Sequence, residues 1–258
     1  EAATIQDALD FYETHYVPSN MTIAVSGDVD PEEIKAFAEK YFSPMPAGGQ
    51  PPKLLTREPP QRGERRLVIK DDAQPILMIA YKGLDANHPD AIAVRMIYDL
   101  LLIGRTSRLY RRLITEEEAA LHLFGNSTYP GNRFPGLFIL AAFPNQGVDV
   151  ADLEKMVYEE IERIKQGDIS PEELERIRIN RRANTLRGLS DNIGIAYQFA
   201  SSHRLRGTWK AVFEDLDRLD DISVDDLQQA AMRLFREESR TVGYTINEDD
   251  ETTSSNDL

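Results

Sequence analysis

Between residues 44 and 64 the sequence holds six prolines and three glycines and few apolar side chains. Proline lacks an amide hydrogen and fixes its own φ, so this density breaks helix and sheet ladders alike. The chain therefore reads as two unequal pieces joined by a semi-rigid, extended linker over 44–64. Residues 1–43 carry two helical patterns and one strand, too little to bury a core alone. They are expected to be the C-terminal end of a truncated first domain, and a first residue of Glu1 fits a chain cut from something longer. Residues 65–246 are long enough for a complete second domain, and 247–258 read as an acidic, disordered tail.

Before the linker, the pattern predicts a helix over 4–15, a strand over 21–26 and a helix from Pro31, capped by Asp30, with Ile34, Phe37, Ala38 and Tyr41 on one face. After it, an alternating strand over 66–70 precedes an apolar strand over 76–81, expected to be buried on both faces. Helices follow over 89–103 and 106–117, then strands over 121–128 and 134–142 joined by the turn signal Tyr129-Pro-Gly-Asn132. The helix over 150–166 has Val150, Leu153, Val157, Ile161 and Ile164 on one stripe, with Asp149 before it and Gly167 after it. Ser170-Pro-Glu-Glu173 opens another helix with a capping box. Further helices are expected from 191 to 206, over 208–219 and over 224–236, the last capped by Ser223, and a strand over 241–246 closes the domain. Hairpins segregated from helix runs predict an α+β fold, a mainly antiparallel sheet covered by helices on one face.

The 258 residues hold no cysteine, which excludes a disulfide framework, a thiolate nucleophile and Cys-ligated metal. With 44 acidic against 30 basic residues the formal charge is −14, a balance that disfavours nucleic acid as a partner. Eleven of those fourteen charges come from 214–226 and 248–258, so the rest of the chain is close to neutral. No apolar run reaches the roughly 20 residues of a membrane-spanning helix, and the N-terminus is not a signal peptide.

Candidate chemistry is sparse. His15, His88, His122 and His203 never fall three or four apart, so no helix can offer two of them to one metal. Ser107 does not lie in a nucleophile elbow, and neither glycine-rich phosphate loop occurs. Arg105, Arg108 and Arg112, with Arg111 beside them, and Arg178, Arg181, Arg182 and Arg187 form two basic clusters. They could cradle a carboxylate. The preferred reading is a solvated face paired with Glu116, Glu117, Glu118, Glu172, Glu173 and Glu175.

Two stretches carry more. Phe11-Tyr-Glu-Thr-His-Tyr16-Val-Pro18-Ser-Asn20-Met21-Thr-Ile-Ala-Val-Ser-Gly27-Asp28 resembles the closing segment of the first domain of pitrilysin/insulinase-type zinc metallopeptidases. Ser107-Arg-Leu-Tyr-Arg-Arg-Leu113 resembles a helix of that family's second, non-zinc domain. The resemblance implies a zinc motif, His-x-x-Glu-His, in sequence upstream of this chain. There two histidines on one helix face share the metal and the Glu acts as base. No such motif occurs in these residues, so no catalytic, cofactor or metal residue is assigned here and this chain alone is not expected to cleave peptides. Family members often follow the second-domain helix with an Arg and a Tyr seven residues apart that hold substrate. Alignment on Leu113 puts Ile114 and Leu121 at those positions, and neither can donate to an oxyanion.

The reading implied is a non-catalytic C-terminal part of a zinc-dependent peptidase, one wall of a peptide-enclosing chamber. Its partners would be the rest of the parent first domain, a second subunit in a homo- or heterodimer, and peptide substrates. A bacterial periplasm or envelope is the expected compartment. The alternative is a non-proteolytic assembly or scaffold subunit on the same fold.

Overall fold

The computed structural model describes residues 3–49, 51–52 and 58–246. In chain order they form α1 (Ile5–His15), α2 (Pro31–Phe42), β1 (Arg65–Lys70), β2 (Leu77–Lys82), α3 (Ala91–Leu102), β3 (Ala120–Tyr129), β4 (Leu137–Pro144), α4 (Val150–Lys165), α5 (Pro171–Gly188), α6 (Asn192–Arg206), α7 (Ala211–Asp221), α8 (Val224–Leu234) and β5 (Arg240–Ile246). The expected acidic tail, 247–258, lies outside the described residues. Two compact units emerge: residues up to Pro59 together with 186–212, and 60–185 together with those from Phe213 onward.

The larger unit is built on one five-stranded sheet in the order β1-β5-β2-β4-β3. β1 runs parallel to β5, and the other three pairings are antiparallel. Helices cover one face. Leu77, Ile79 and Tyr81 of β2 and Phe138, Leu140 and Ala142 of β4 are buried there with Met96, Ile97, Leu100 and Leu101 of α3, Leu153, Val157, Ile161 and Ile164 of α4, and Leu227 and Leu234 of α8. Phe235 sets its ring edge-on to Tyr81 and Phe138, at centroid distances of 4.9 and 5.3 Å. The expected α+β class and helix-covered antiparallel sheet are what the chain adopts.

β2 is buried on one face only, because no described element of this unit covers the other: Met78 is exposed between buried Leu77 and Ile79. Its apolar run from Leu77 to Tyr81 marks a central strand, not a doubly covered one. The helix expected over 106–117 starts at Arg108 and winds as a π-helix over Tyr110–Glu116.

In the smaller unit Thr4 and Asp7 form a capping box on α1, and Asp30 accepts the Glu32 amide at 2.8 Å to start α2. Residues 21–26 are not a strand. The Met21 backbone is extended, but no described strand pairs with the segment, and a strand exists only as part of a ladder. Ser19 stitches the start of the linker back, its amide donating to the Ala47 carbonyl and its hydroxyl to that of Gly49, both at 3.0 Å. The apolar faces of α1 and α2 stay open, with Phe11, Tyr12, Phe37 and Tyr41 all exposed.

Candidate functional site

Neither arginine cluster is a free cradle. Arg108 is buried, and its guanidinium donates to both Glu173 oxygens, at 3.0 and 2.7 Å, and to the Asp168 carbonyl. Glu173 is also the third residue of the Ser170 capping box, exchanging bonds of 3.1 and 3.2 Å with Ser170. The helix cap and the ion pair thus share one carboxylate. Burial works against the ionised Glu173, but Arg108 and the Ser170 amide outweigh it and hold the carboxyl below its usual range.

Arg112 pairs with Glu159 and, at 3.2 Å, with Glu160 of α4. Buried Glu160 also holds Arg163 at 3.2 Å, so the arginines lining the groove of about 640 Å³ between the π-helix and α4, Arg111, Arg112 and Arg163, are each paired with a carboxylate of the same lining. Arg181 grips Asp99 of α3 with two bonds of 2.8 Å, Arg182 meets Asp220 at 2.8 Å, and Arg178 caps the carbonyls of Leu219 and Ile222. Of the acids expected as partners, Glu173, Glu175 and Glu116 do serve, for Arg108, Arg178 and Arg111. The others used, Asp99, Glu159, Glu160 and Asp220, come from distant segments, so these arginines join elements instead of coating a solvated face. Arg105 sits exposed in the turn before the helix.

Ser107 is buried and donates to the Gly104 carbonyl at 2.8 Å, which occupies its hydroxyl in a turn. His88 Nδ1 accepts the Asp90 amide at 3.1 Å, and His122 lies beside the Phe143 ring. Among the described residues no group of three or more His, Asp or Glu could hold a metal ion. No helix among them is long and apolar enough to cross a membrane.

Ile114 lies half-buried against the core at the π-helix. Leu121 is exposed on edge strand β3, at a bulge where Ala120 pairs with Pro144 and His122 with Phe143. Neither side chain carries a hydrogen-bond donor.

One polar cluster escapes a reading by spacing. Buried Glu154 of α4 accepts Arg66 of β1 and, at 2.5 Å, the Tyr158 hydroxyl. The Arg240 guanidinium lies 4.2 Å from the Tyr158 ring centre and pairs with Glu64, which also takes Arg66 at 2.9 Å. Burial drives the Tyr158 hydroxyl well above its usual range, and the bond to Glu154 adds to it; the Tyr81 hydroxyl is pushed up to about 12, chiefly by burial. The signal is Glu154 itself, an acid placed between Leu153 and Val157 on the apolar stripe of α4. Such a residue needs a cation paired with it.

A family model described as the peptidase M16 inactive domain matches residues 2–181. The zinc protease PqqE of Helicobacter pylori is 26% identical over 245 residues, covering 93% of this chain and 54% of its own length. The mitochondrial-processing peptidase subunit beta of Saccharomyces cerevisiae is 25% identical over 243 residues, covering 88% and 52%. The crystal structure of a protease from Helicobacter pylori matches with a TM-score of 0.87 at 24% identity, over 94% of this chain and 59% of that one. The chain thus spans about half the length of the curated relatives it matches.

Proposed function

Because the chain belongs to the peptidase M16 family, matching its inactive-domain model, we propose that it is the non-catalytic C-terminal part of a zinc-dependent peptidase and forms one wall of a peptide-enclosing chamber. The observation that carries this reading is the inactive-domain match over 2–181. Residues 1–43 would be the end of the first domain, 44–64 the linker and 65–246 the second domain. The exposed apolar faces of α1 and α2 and the segment 21–26, which pairs with no described strand, support a first domain completed by other residues of the parent. Zinc and its general base would belong to that part, and a second subunit would close the chamber around a peptide. The bacterial envelope is the compartment this reading carries, resting on the family resemblance alone.

The test is cleavage of a quenched peptide by this chain and by its longer parent, each with zinc and then with a chelator. Chelator-sensitive cleavage by the parent alone is expected. Cleavage by this chain alone would overturn the assignment.

Ile114 and Leu121, which offer no hydrogen-bond donor, favour a second reading: a parent that has kept the fold as an assembly subunit and lost catalysis. The reading frame upstream separates the two, since an intact His-x-x-Glu-His removes the scaffold and its absence removes the enzyme.

A further inference from the structure

A small recess in the larger unit has spare hydrogen-bonding capacity and room to use it. Its volume is about 10 Å³, and Asp85, Arg95, Ser127, Thr128 and Asn132 line it with apolar residues beside them. Three segments meet there: the loop after β2 supplies Asp85, the end of β3 supplies Ser127 and Thr128, and the turn into β4 supplies Asn132. The Ala86 amide donates to the Asn132 carbonyl at 2.8 Å, which sets the loop against the turn. Successive residues of a regular strand point to opposite faces, so an even strand would not bring Ser127 and Thr128 to one recess. β3 shifts register between Asn126 and Tyr129, and the Thr128 amide donates to Asn126 Oδ1 at 2.8 Å. That irregularity re-aims the chain so that both residues reach it.

The polar side chains of the lining are only partly used. Asp85 takes the Asn87 amide on Oδ1 at 2.8 Å and has Oδ2 to spare. Among the described residues the Ser127 and Thr128 hydroxyls and the Asn132 side-chain amide make no hydrogen bond. Arg95, the charged donor of the lining, is held elsewhere, by Asp215 at 3.2 Å and the Ala91 carbonyl at 3.3 Å.

We propose that this recess is the site of one ordered water, which bridges Asp85 to Ser127, Thr128 and Asn132 and locks the loop after β2 to the β3–β4 turn. Size and charge select the occupant together. A volume of about 10 Å³ is close to one water-sized probe, and an ordered water needs two to four polar partners, which the lining supplies. A metal ion would stand beside the Arg95 guanidinium with one carboxylate to offset both charges, and an anion would meet Asp85. A neutral molecule that donates to the carboxylate and accepts from the hydroxyls and the amide matches the groups present. The site does not depend on whether the parent cleaves peptides.

The experiment is a high-resolution crystal structure of the full 258-residue chain, paired with amide hydrogen exchange. A single peak within about 3 Å of Asp85 and of at least two of Ser127, Thr128 and Asn132 is expected. Ser127→Ala with Thr128→Val removes both hydroxyls and nearly keeps the side-chain volumes. In that variant the peak should vanish, and the Ala86 amide should exchange about fivefold faster than in the parent. Ser190→Ala, which removes a hydroxyl bonded to the Arg187 carbonyl, should leave the Ala86 amide unchanged. Ser127 and Thr128 are half-buried on an edge strand, so the double change opens no cavity in the core, and circular dichroism checks that it folds. A recess without a peak, a peak with oxygen contacts of about 2.4 Å that mark a cation, a peak that persists in the double variant, or unchanged exchange at Ala86 would each overturn the proposal.

Discussion

Arg181 of α5 grips Asp99 of α3 through two N–H···O bonds of 2.8 Å, and the same guanidinium donates to the Arg95 carbonyl at 3.0 Å. Two helices far apart in sequence are thereby held at a partly buried polar contact. Burial acts most strongly on Asp99 and, despite the arginine beside it, keeps its carboxyl above the usual range.

Arg181→Met should therefore cost about 2 kcal/mol at pH 7, below the range for a fully buried pair because the Arg181 side chain is 22% exposed. The loss comes from an unpaired Asp99 charge. Lowering the pH lets Asp99 take up a proton more readily in the folded than in the unfolded chain, so the penalty should shrink as pH falls toward 5. Urea unfolding of parent and variant at the two pH values measures it; a penalty that grows on acidification would contradict the assignment.

Arg108→Met should be costlier, about 3 kcal/mol at pH 7, because Arg108 is buried and serves both Glu173 and the Asp168 carbonyl. Glu173 has the opposite sign to Asp99. Its carboxyl is depressed in the folded chain, so its contribution is present above the unfolded value of 4.5 and is lost as pH falls through the folded one. Thermal unfolding between pH 6 and pH 3 should show a shallower acid dependence in the variant than in the parent.

Gly125 presses β3 against α3. A Cβ there would lie 2.4 Å from the Ile139 carbonyl oxygen and 2.5 Å from a Leu102 methyl. Gly125→Ala should cost about 2 kcal/mol by forcing strand and helix apart, while Gly63→Ala, with open space around it, should stay within about 0.5 kcal/mol. Denaturant midpoints of the two variants provide the comparison.

At the positions aligned with the family's Arg/Tyr pair, Leu121→Tyr should be neutral to within about 0.5 kcal/mol, since Leu121 is exposed at a bulge. Ile114→Arg should cost about 1 to 2 kcal/mol, because its side chain packs on the core. Equal losses at the two sites in thermal unfolding would mean that Leu121 is buried in solution.

Local chemistry was the legible part of this fold. Asp30, Asp149, Ser170 and Ser223 each cap the helix that their position announces, because a cap is decided within four residues. The stripe of α4 was readable for the same reason, and so was the hairpin turn. What needed a distant partner was not. Residues 21–26 have strand composition and no described ladder, and β2 is apolar from Leu77 to Tyr81 yet covered on one face. The arginines of α5 look solvated until Asp99 and Asp220 arrive from elsewhere. The π-helix over Tyr110–Glu116 carries no sequence mark that spacing could find. The family was legible through two motifs whose meaning lies outside periodicity.

The strand order has a consequence for synthesis. β1 is the first strand of its sheet to be made, yet its neighbour is β5, and Arg65 waits for Thr241, 176 residues later. β5 also stands between β1 and β2, so the sheet stays split until residues 240–246 have left the ribosome. A nascent chain stalled before Arg240 would carry a three-stranded β2-β4-β3 half-sheet with a bare inner edge and β1 unattached, a species suited to chaperone capture. Completion of this unit is in that sense a terminal event, timed by the last strand and not by the growth of its core.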